Sequence, residues 1–147
     1  MKRLFFLTSA LLVCAIAAPV QAKPGQLKWM AAPSALPAGA TMAVVKGDPG
    51  KTGDFVVRLK LPANYAVPPH HHPTDETVRV LSGGQLSYGM GDKVDQANAG
   101  TLTKGYHVVM QAGMNHWVTN TDPVVIEVSG NGPFQIVYAD PKDDPRH

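Results

Sequence analysis

Four side chains stand at spacings that suit a transition-metal site: His70, His72, Glu76 and His116. Residues two apart on a strand point to the same face, so His70 and His72 can bind one ion while His71 points away. Neutral imidazole and carboxylate are ligands of Zn, Fe, Mn, Ni and Cu, and geometry decides among these metals. We therefore predict one divalent transition metal, whose identity stays open.

The alternation of residues 76–81, which we read as the next strand, places Glu76 on the core side of the sheet. Val78 and Val80 share its face, and the polar Arg79 lies opposite. A buried, unpaired carboxylate costs several kcal/mol, and metal coordination is one of the few ways to offset that cost. His116, in a later apolar run, could supply a fourth ligand. A histidine triplet alone more often marks a solvated loop, but that alternative leaves the placement of Glu76 and His116 to chance.

Several short segments alternate between apolar and polar residues, as half-buried strands do. Residues 55–61 are the clearest case, with Phe55, Val57, Leu59 and Leu61 on one face. Gly, Pro, Asn or Asp separates nearly all of these segments, and no window beyond the first 22 residues has a helical period. This pattern predicts an all-β chain, folded as an antiparallel sandwich or barrel.

The motifs around the four residues resemble those of the cupin superfamily. Its first motif is Gly, five residues, His-x-His, three or four residues, Glu, six residues, Gly. Every spacing matches up to Gly83, with Asn64 in place of the leading glycine. The second motif, Gly, five residues, Pro-x-Gly, two residues, His, three residues, Asn, matches from Gly105 to Asn120 with Gln111 in place of proline. Both departures fall at turns and leave the ligand positions unchanged.

The resemblance implies a small double-stranded β-helix, or jelly-roll barrel, with His70, His72, Glu76 and His116 as metal ligands. Such a site suits a metal-dependent dioxygenase, or a decarboxylase, lyase or isomerase, that acts on a small oxygen-rich molecule. Glu76 could be the general base and Tyr88 an acid or hydrogen-bond donor. We expect pocket walls among the following residues: Leu86, Tyr88, Met90, Tyr106, Val108, Met110 and Trp117.

A non-catalytic module that binds a small molecule or a metal remains the alternative. No second acid–base pair stands beside the ligands in the sequence. Arg58, Lys60 and Arg79 alternate along their strands with apolar residues, so we expect all three to face outward. A substrate with a full carboxylate or phosphate would usually need such a cation in the site.

Residues 1–22 have the features of a secretory signal peptide. Lys2 and Arg3 precede an apolar run that is short for a membrane helix, and residues 20–22 resemble a cleavage site. We expect a periplasmic or secreted protein with no stable membrane anchor after cleavage. The 13 Lys and Arg residues include Lys2 and Arg3, so the mature chain has as many basic residues as its 11 Asp and Glu. This balance makes nucleic acid a poor candidate partner.

The remaining chain is long enough for one domain. We expect an extended N-terminal arm over residues 23–40, held by Leu27 and Trp29, a cupin barrel over 41–139 and a polar tail over 140–147. A homodimer is expected by analogy with the family only.

Overall fold

A computed structural model describes residues 26–147 of this protein. The predicted signal peptide at 1–22 lies outside these residues. The strands of the described part are β1 (Met30–Ala31), β2 (Thr41–Lys46), β3 (Gly53–Leu61), β4 (Ala66–His71), β5 (Glu76–Gly83), β6 (Leu86–Met90), β7 (Gly100–Leu102), β8 (His107–Met110), β9 (His116–Thr119), β10 (Val124–Gly132) and β11 (Val137–Tyr138). Two short 3₁₀ helices span Gln96–Asn98 and Pro141–Asp143.

The strands form two antiparallel sheets. The first has the order β1-β2-β3-β10-β5-β8, and the second has the order β11-β4-β9-β6-β7. From β3 to β11, successive strands lie in different sheets except for β6 and β7, which pair with each other in the second sheet. The predicted all-β architecture is confirmed.

The core lies between the sheets and is built from alternating side chains, as the sequence predicts. Phe55 and Val57 of β3 are buried, and so are Ile126 and Val128 on the paired strand β10. Burial of each such side chain contributes roughly 2 kcal/mol to folding. On the outer face of the same two strands, Arg58 Nε donates to Glu127 Oε2 over 3.1 Å.

The N-terminal arm is fastened to the barrel by three side chains. The Tyr65 hydroxyl donates to the carbonyl of Pro37 (2.5 Å), and the Tyr138 hydroxyl donates to the carbonyl of Ala35 (2.7 Å). Lys60 Nζ lies 4.0 Å from the ring centroid of Trp29, a cation–π contact that holds the start of the arm. Because β1 also pairs with β2, the arm extends the six-stranded sheet.

The two glycine-like positions of the first cupin motif are turns. Asn64 has φ +57°, a left-handed conformation that asparagine tolerates better than most residues. Gly83 has φ +88°, and a Cβ there would lie 2.3 Å from the carbonyl oxygen of Pro123. Asn64 can therefore replace the leading glycine, whereas no side chain fits at Gly83 without moving the backbone.

The polar tail lies on the barrel surface and is held by one arginine. Arg146 Nη2 donates to the carbonyl of Ile136 over 3.1 Å and also pairs with Asp144. Within residues 26–147, no helix is long and apolar enough to cross a membrane.

Tyr65, one of the two tyrosines that hold the arm, should make the stability of the fold sensitive to alkaline pH. Burial raises the pKa of Tyr65 to about 12 from an unfolded value near 10. The folded state therefore keeps this proton between pH 10 and 12 while the unfolded state loses it, so the stabilisation present below pH 10 is lost as pH rises through 12. Tyr65→Phe should cost about 1 kcal/mol at pH 7 and make that decline less steep.

Urea unfolding at pH 7, 10 and 11 measures both effects. Tyr106→Phe is the matched control, because Tyr106 is 69% exposed and should change neither quantity. An alkaline decline in Tyr65→Phe equal to that of the wild type would contradict this interpretation of the arm.

Candidate metal centre

Strand pairing brings the four predicted ligands together. His70 on β4 and His116 at the start of β9 are direct partners in the antiparallel ladder. His72 follows the last residue of β4, and the chain then crosses to the other sheet, where Glu76 is the first residue of β5. The site therefore lies between the sheets, with histidines from one and the carboxylate from the other.

The three imidazoles form a compact group that could hold a metal ion. One ring nitrogen from each of His70, His72 and His116 lies within 4.8 Å of the others. The exposed fractions of these residues are 4%, 2% and 1%. Buried histidines this close together need a cation or a set of hydrogen bonds to satisfy their ring nitrogens.

Backbone carbonyls fix which nitrogen of each ring is free. The Nδ1 atoms of His70, His72 and His116 face the carbonyl oxygens of Pro68 (2.7 Å), Gln135 (2.7 Å) and Met114 (3.1 Å). A carbonyl oxygen only accepts, so each Nδ1 carries the proton and donates. In a neutral ring each Nε2 then presents a lone pair, which is how metal-binding histidines are usually oriented.

Glu76 completes the group of acceptors. Its Oε2 lies 3.2 Å from His116 Nε2 and 3.5 Å from His72 Nε2, and the residue is 7% exposed. Burial raises the pKa of this carboxyl, but its contacts with His116 and His72 outweigh that effect and hold the pKa well below its ordinary value. The carboxylate is therefore ionised, and this requires positive charge at the Nε2 atoms that it faces, from a proton on a ring or from a bound cation.

This arrangement fits a divalent metal. Among residues 26–147, the Nε2 atoms of His72 and His116 are buried without a hydrogen-bond partner, and the Glu76 carboxylate lies beside both. A metal cation between them would supply the positive charge that the buried carboxylate needs and would satisfy the two ring nitrogens. Burial also lowers the pKa of His70 to about 3, with His116 acting in the same direction, so this ring stays neutral and able to coordinate.

A small cavity opens beside the ligands. It holds about 40 Å³ of water-accessible space and is otherwise lined by apolar side chains from both sheets and the arm. The following residues supply that apolar wall: Leu36, Leu59, Leu61, Val67, Val78, Val118, Ile126, Val128, Phe134 and Ile136.

The walls that we predicted from sequence are wrong, because none of the seven residues lines this cavity. Tyr106 is largely exposed. Trp117 is buried, but it follows His116 and therefore points to the other face of its sheet, where it lies against Gly89. Sequence reasoning missed Phe134, whose ring stacks on His72 at a centroid distance of 4.2 Å and an angle of 19°.

Tyr88 is not among the cavity-lining residues. Its ring is half-buried and covers Gly100, so closely that a Cβ at Gly100 would lie 2.5 Å from the ring. Its role as acid or hydrogen-bond donor stays a prediction. His71 points away from the site, as predicted, and its Nδ1 donates to Asn115 Oδ1 over 2.8 Å.

No protein-family model and no curated protein matches this chain. Solved structures do match it. The polyketide cyclase RemF from Streptomyces resistomycificus is 17% identical, with a TM-score of 0.59 over 72% of this chain and 75% of the cyclase. The DMSP lyase DddQ from Ruegeria pomeroyi DSS-3 is 20% identical, with a TM-score of 0.59 over 76% of this chain and 60% of the lyase.

A double-stranded β-helix protein from Klebsiella pneumoniae is 19% identical, with a TM-score of 0.53 over 67% of this chain and 78% of that protein. An oxalate oxidase has a TM-score of 0.54, and the match spans 59% of its length. The chain therefore has the double-stranded β-helix fold that the resemblance of its two motifs implied. It spans about 60% of the lyase and of the oxidase.

Metal content should depend on whether a histidine points into the site, and not on how many histidines the chain has. The purified chain should hold about one transition metal, and His72→Ala or His116→Ala should lose it because each removes a free Nε2. His71→Ala is the matched control, since it removes a histidine from the opposite face. Elemental analysis after dialysis measures the ratio, and equal content in all four proteins would contradict the site.

Removal of the metal should lower thermal stability, because ligand groups brought together without a cation repel one another. A metal present at 100 times its dissociation constant contributes about 2.7 kcal/mol, which corresponds to a fall in Tm on the order of 10 °C. Calorimetry with and without a chelator measures this shift. The His72→Ala variant should not respond to the chelator, and a wild type that is equally indifferent would show that no such coupling exists.

Proposed function

We propose that this chain is an exported, metal-dependent enzyme that acts on a small oxygen-bearing molecule, as a dioxygenase or as a decarboxylase or lyase. One observation carries this proposal. Three imidazole nitrogens and the ionised Glu76 carboxylate converge on a buried cavity between the sheets. Four protein ligands leave one or two positions of a five- or six-coordinate metal free for substrate or water.

The structural neighbours support an enzymatic function, but they do not indicate which reaction is catalysed. They include a polyketide cyclase, an oxalate oxidase and a DMSP lyase, so this fold accommodates several chemistries around one architecture. At about 20% identity the likeness concerns the fold, and function must be argued from the site itself.

The proposed roles follow from position. A metal held by His70, His72, Glu76 and His116 would supply Lewis acidity or, for a redox-active ion, reactivity toward dioxygen. Among residues 26–147, Glu76 is the only carboxylate that lines the cavity, so its Oε2 is the group placed to take a proton from a bound molecule. The apolar wall would exclude water from this transfer and strengthen the local electrostatics.

The charges around the site restrict the molecule that it accepts. In the part of the chain that the structure describes, no Lys or Arg lines the cavity. Arg58 pairs with Glu127 on the outside, and Lys60 covers Trp29. A substrate would therefore be held through oxygen atoms on the metal and not through an ion pair with a protein cation.

A binding module without turnover is the second candidate. It is favoured by the small volume of the cavity, about 40 Å³, and by the absence of a second acid–base side chain among its lining residues beyond the four predicted ligands. Such a module would capture a metal or a small chelating molecule in the periplasm or outside the cell.

Turnover against a metal series should separate the two candidates. We expect one of Fe(II), Mn(II), Ni(II), Cu(II) or Zn(II) to support oxygen uptake or product formation with a member of a panel of diketones, catechols, flavonoids and oxalate. Glu76→Gln should lower kcat by about 100-fold or more if Glu76 moves a proton. Oxygen electrode and mass spectrometry measure these outcomes, with His71→Ala as the control.

Metal and panel compounds that bind without any turnover, for every metal, would support the binding module. Export itself rests on residues 1–22, and cell fractionation with N-terminal sequencing tests whether the mature chain starts at Lys23. Light scattering of the purified chain tests the proposed homodimer.

A further inference from the structure

A second, larger cavity lies next to the metal cavity. It holds about 280 Å³ of water-accessible space between the N-terminal arm and the six-stranded sheet. Every residue that lines it is apolar or glycine. Four residues line both cavities: Leu36, Leu59, Phe134 and Ile136.

Leu36 differs from the other three because it belongs to the arm, before the first strand of the barrel proper. The two tyrosine hydroxyl bonds that fasten the arm fall on either side of it, at the carbonyls of Ala35 and Pro37. Its own backbone N–H donates to the carbonyl of Pro33 over 2.9 Å. The backbone of Leu36 is thus held from both sides, and its side chain stands where the two cavities meet.

The volumes show why this position matters. A cavity needs roughly 10–15 Å³ of such space for each water, so the metal cavity holds about three waters. Beyond metal-bound oxygen atoms it has no room for a carbon skeleton of any size. The neighbouring cavity has that room, and its uncharged lining suits hydrocarbon.

We propose that Leu36 is the specificity-determining residue of the site. It separates the metal cavity from the outer cavity and sets the size of the molecule that can reach from one into the other. That molecule places chelating oxygens at the metal and a neutral apolar body in the outer cavity. The proposal rests on the metal centre of the proposed function for the first of these two contacts.

Chelators with different hydrocarbon bodies test the proposal. Co(II)-loaded protein is titrated with acetohydroxamate and with octanohydroxamate, and the visible Co(II) spectrum reports binding. Leu36→Ala should raise the affinity ratio of the octyl over the acetyl compound about tenfold, the gain expected from two more buried methylene groups. Leu36→Phe should lower the same ratio.

Leu81→Ala is the control, because Leu81 is also partly buried but lies on the outer face of β5 and lines neither cavity. It should leave the ratio unchanged. If the ratio in Leu36→Ala and Leu36→Phe stays within twofold of the wild type while the Co(II) spectrum is intact, Leu36 does not determine specificity and the proposal is overturned.

Benzene, which has no chelating oxygen, supplies a measurement that does not need the metal. In metal-free protein, benzene should bind Leu36→Ala at least several-fold more tightly than wild type, with methyl NMR shifts at Leu59 and Ile136. Equal benzene affinity in the two proteins overturns the role of Leu36 even if the metal centre is real. An absent Co(II) band in wild type would instead overturn the metal centre, and the benzene result would still decide whether Leu36 separates the cavities.

Discussion

The site depends on one electrostatic constraint: a buried, ionised carboxylate lies among three buried imidazoles, and its charge must be balanced by a cation or by a proton on a ring nitrogen. Glu76 Oε2 lies 3.2 Å from His116 Nε2, and the proton of that ring is on the opposite nitrogen, at the carbonyl of Met114. Buried acceptors at this distance repel one another unless a cation lies between them. The rest of the barrel can be understood as the framework that holds these groups close enough together for one cation to balance them.

A local irregularity in β4 makes this framework possible. Between Val67 and His70, two residues of β4 oppose a single residue of β9, so the strand bulges at Pro68 and Pro69. Proline has no backbone N–H, so the bulge leaves no N–H donor of these two residues without a partner. The bulge leaves the Pro68 carbonyl able to accept from His70 Nδ1, and it brings His70 opposite His116. The same two prolines therefore fix the tautomer of His70 and its position.

Sequence reasoning succeeded where a rule of local geometry applied and failed where contacts came from distant segments. Alternation along strands placed His70, His72 and Glu76 toward the core and His71 away from it. The same rule excludes Trp117 from the pocket, because it is adjacent to His116, and our prediction of pocket walls overlooked this. Leu36 could not have been predicted, since it lies in no periodic segment. Phe134 begins an alternating run with Ile136 and Tyr138, which predicts burial but not its contact with His72.

The arm joins the stability of the barrel to the shape of the site. Tyr138 donates to the Ala35 carbonyl, and its ring lies 5.8 Å from the ring of His70, its ladder partner on β4. One side chain thus contacts the segment that carries Leu36 and also a candidate ligand. Because packed interiors rearrange between discrete states rather than deform continuously, loosening of the arm would change the cavity wall and the orientation of His70 together. Residues 26–40 therefore belong to the functional unit as much as the strands that carry the histidines.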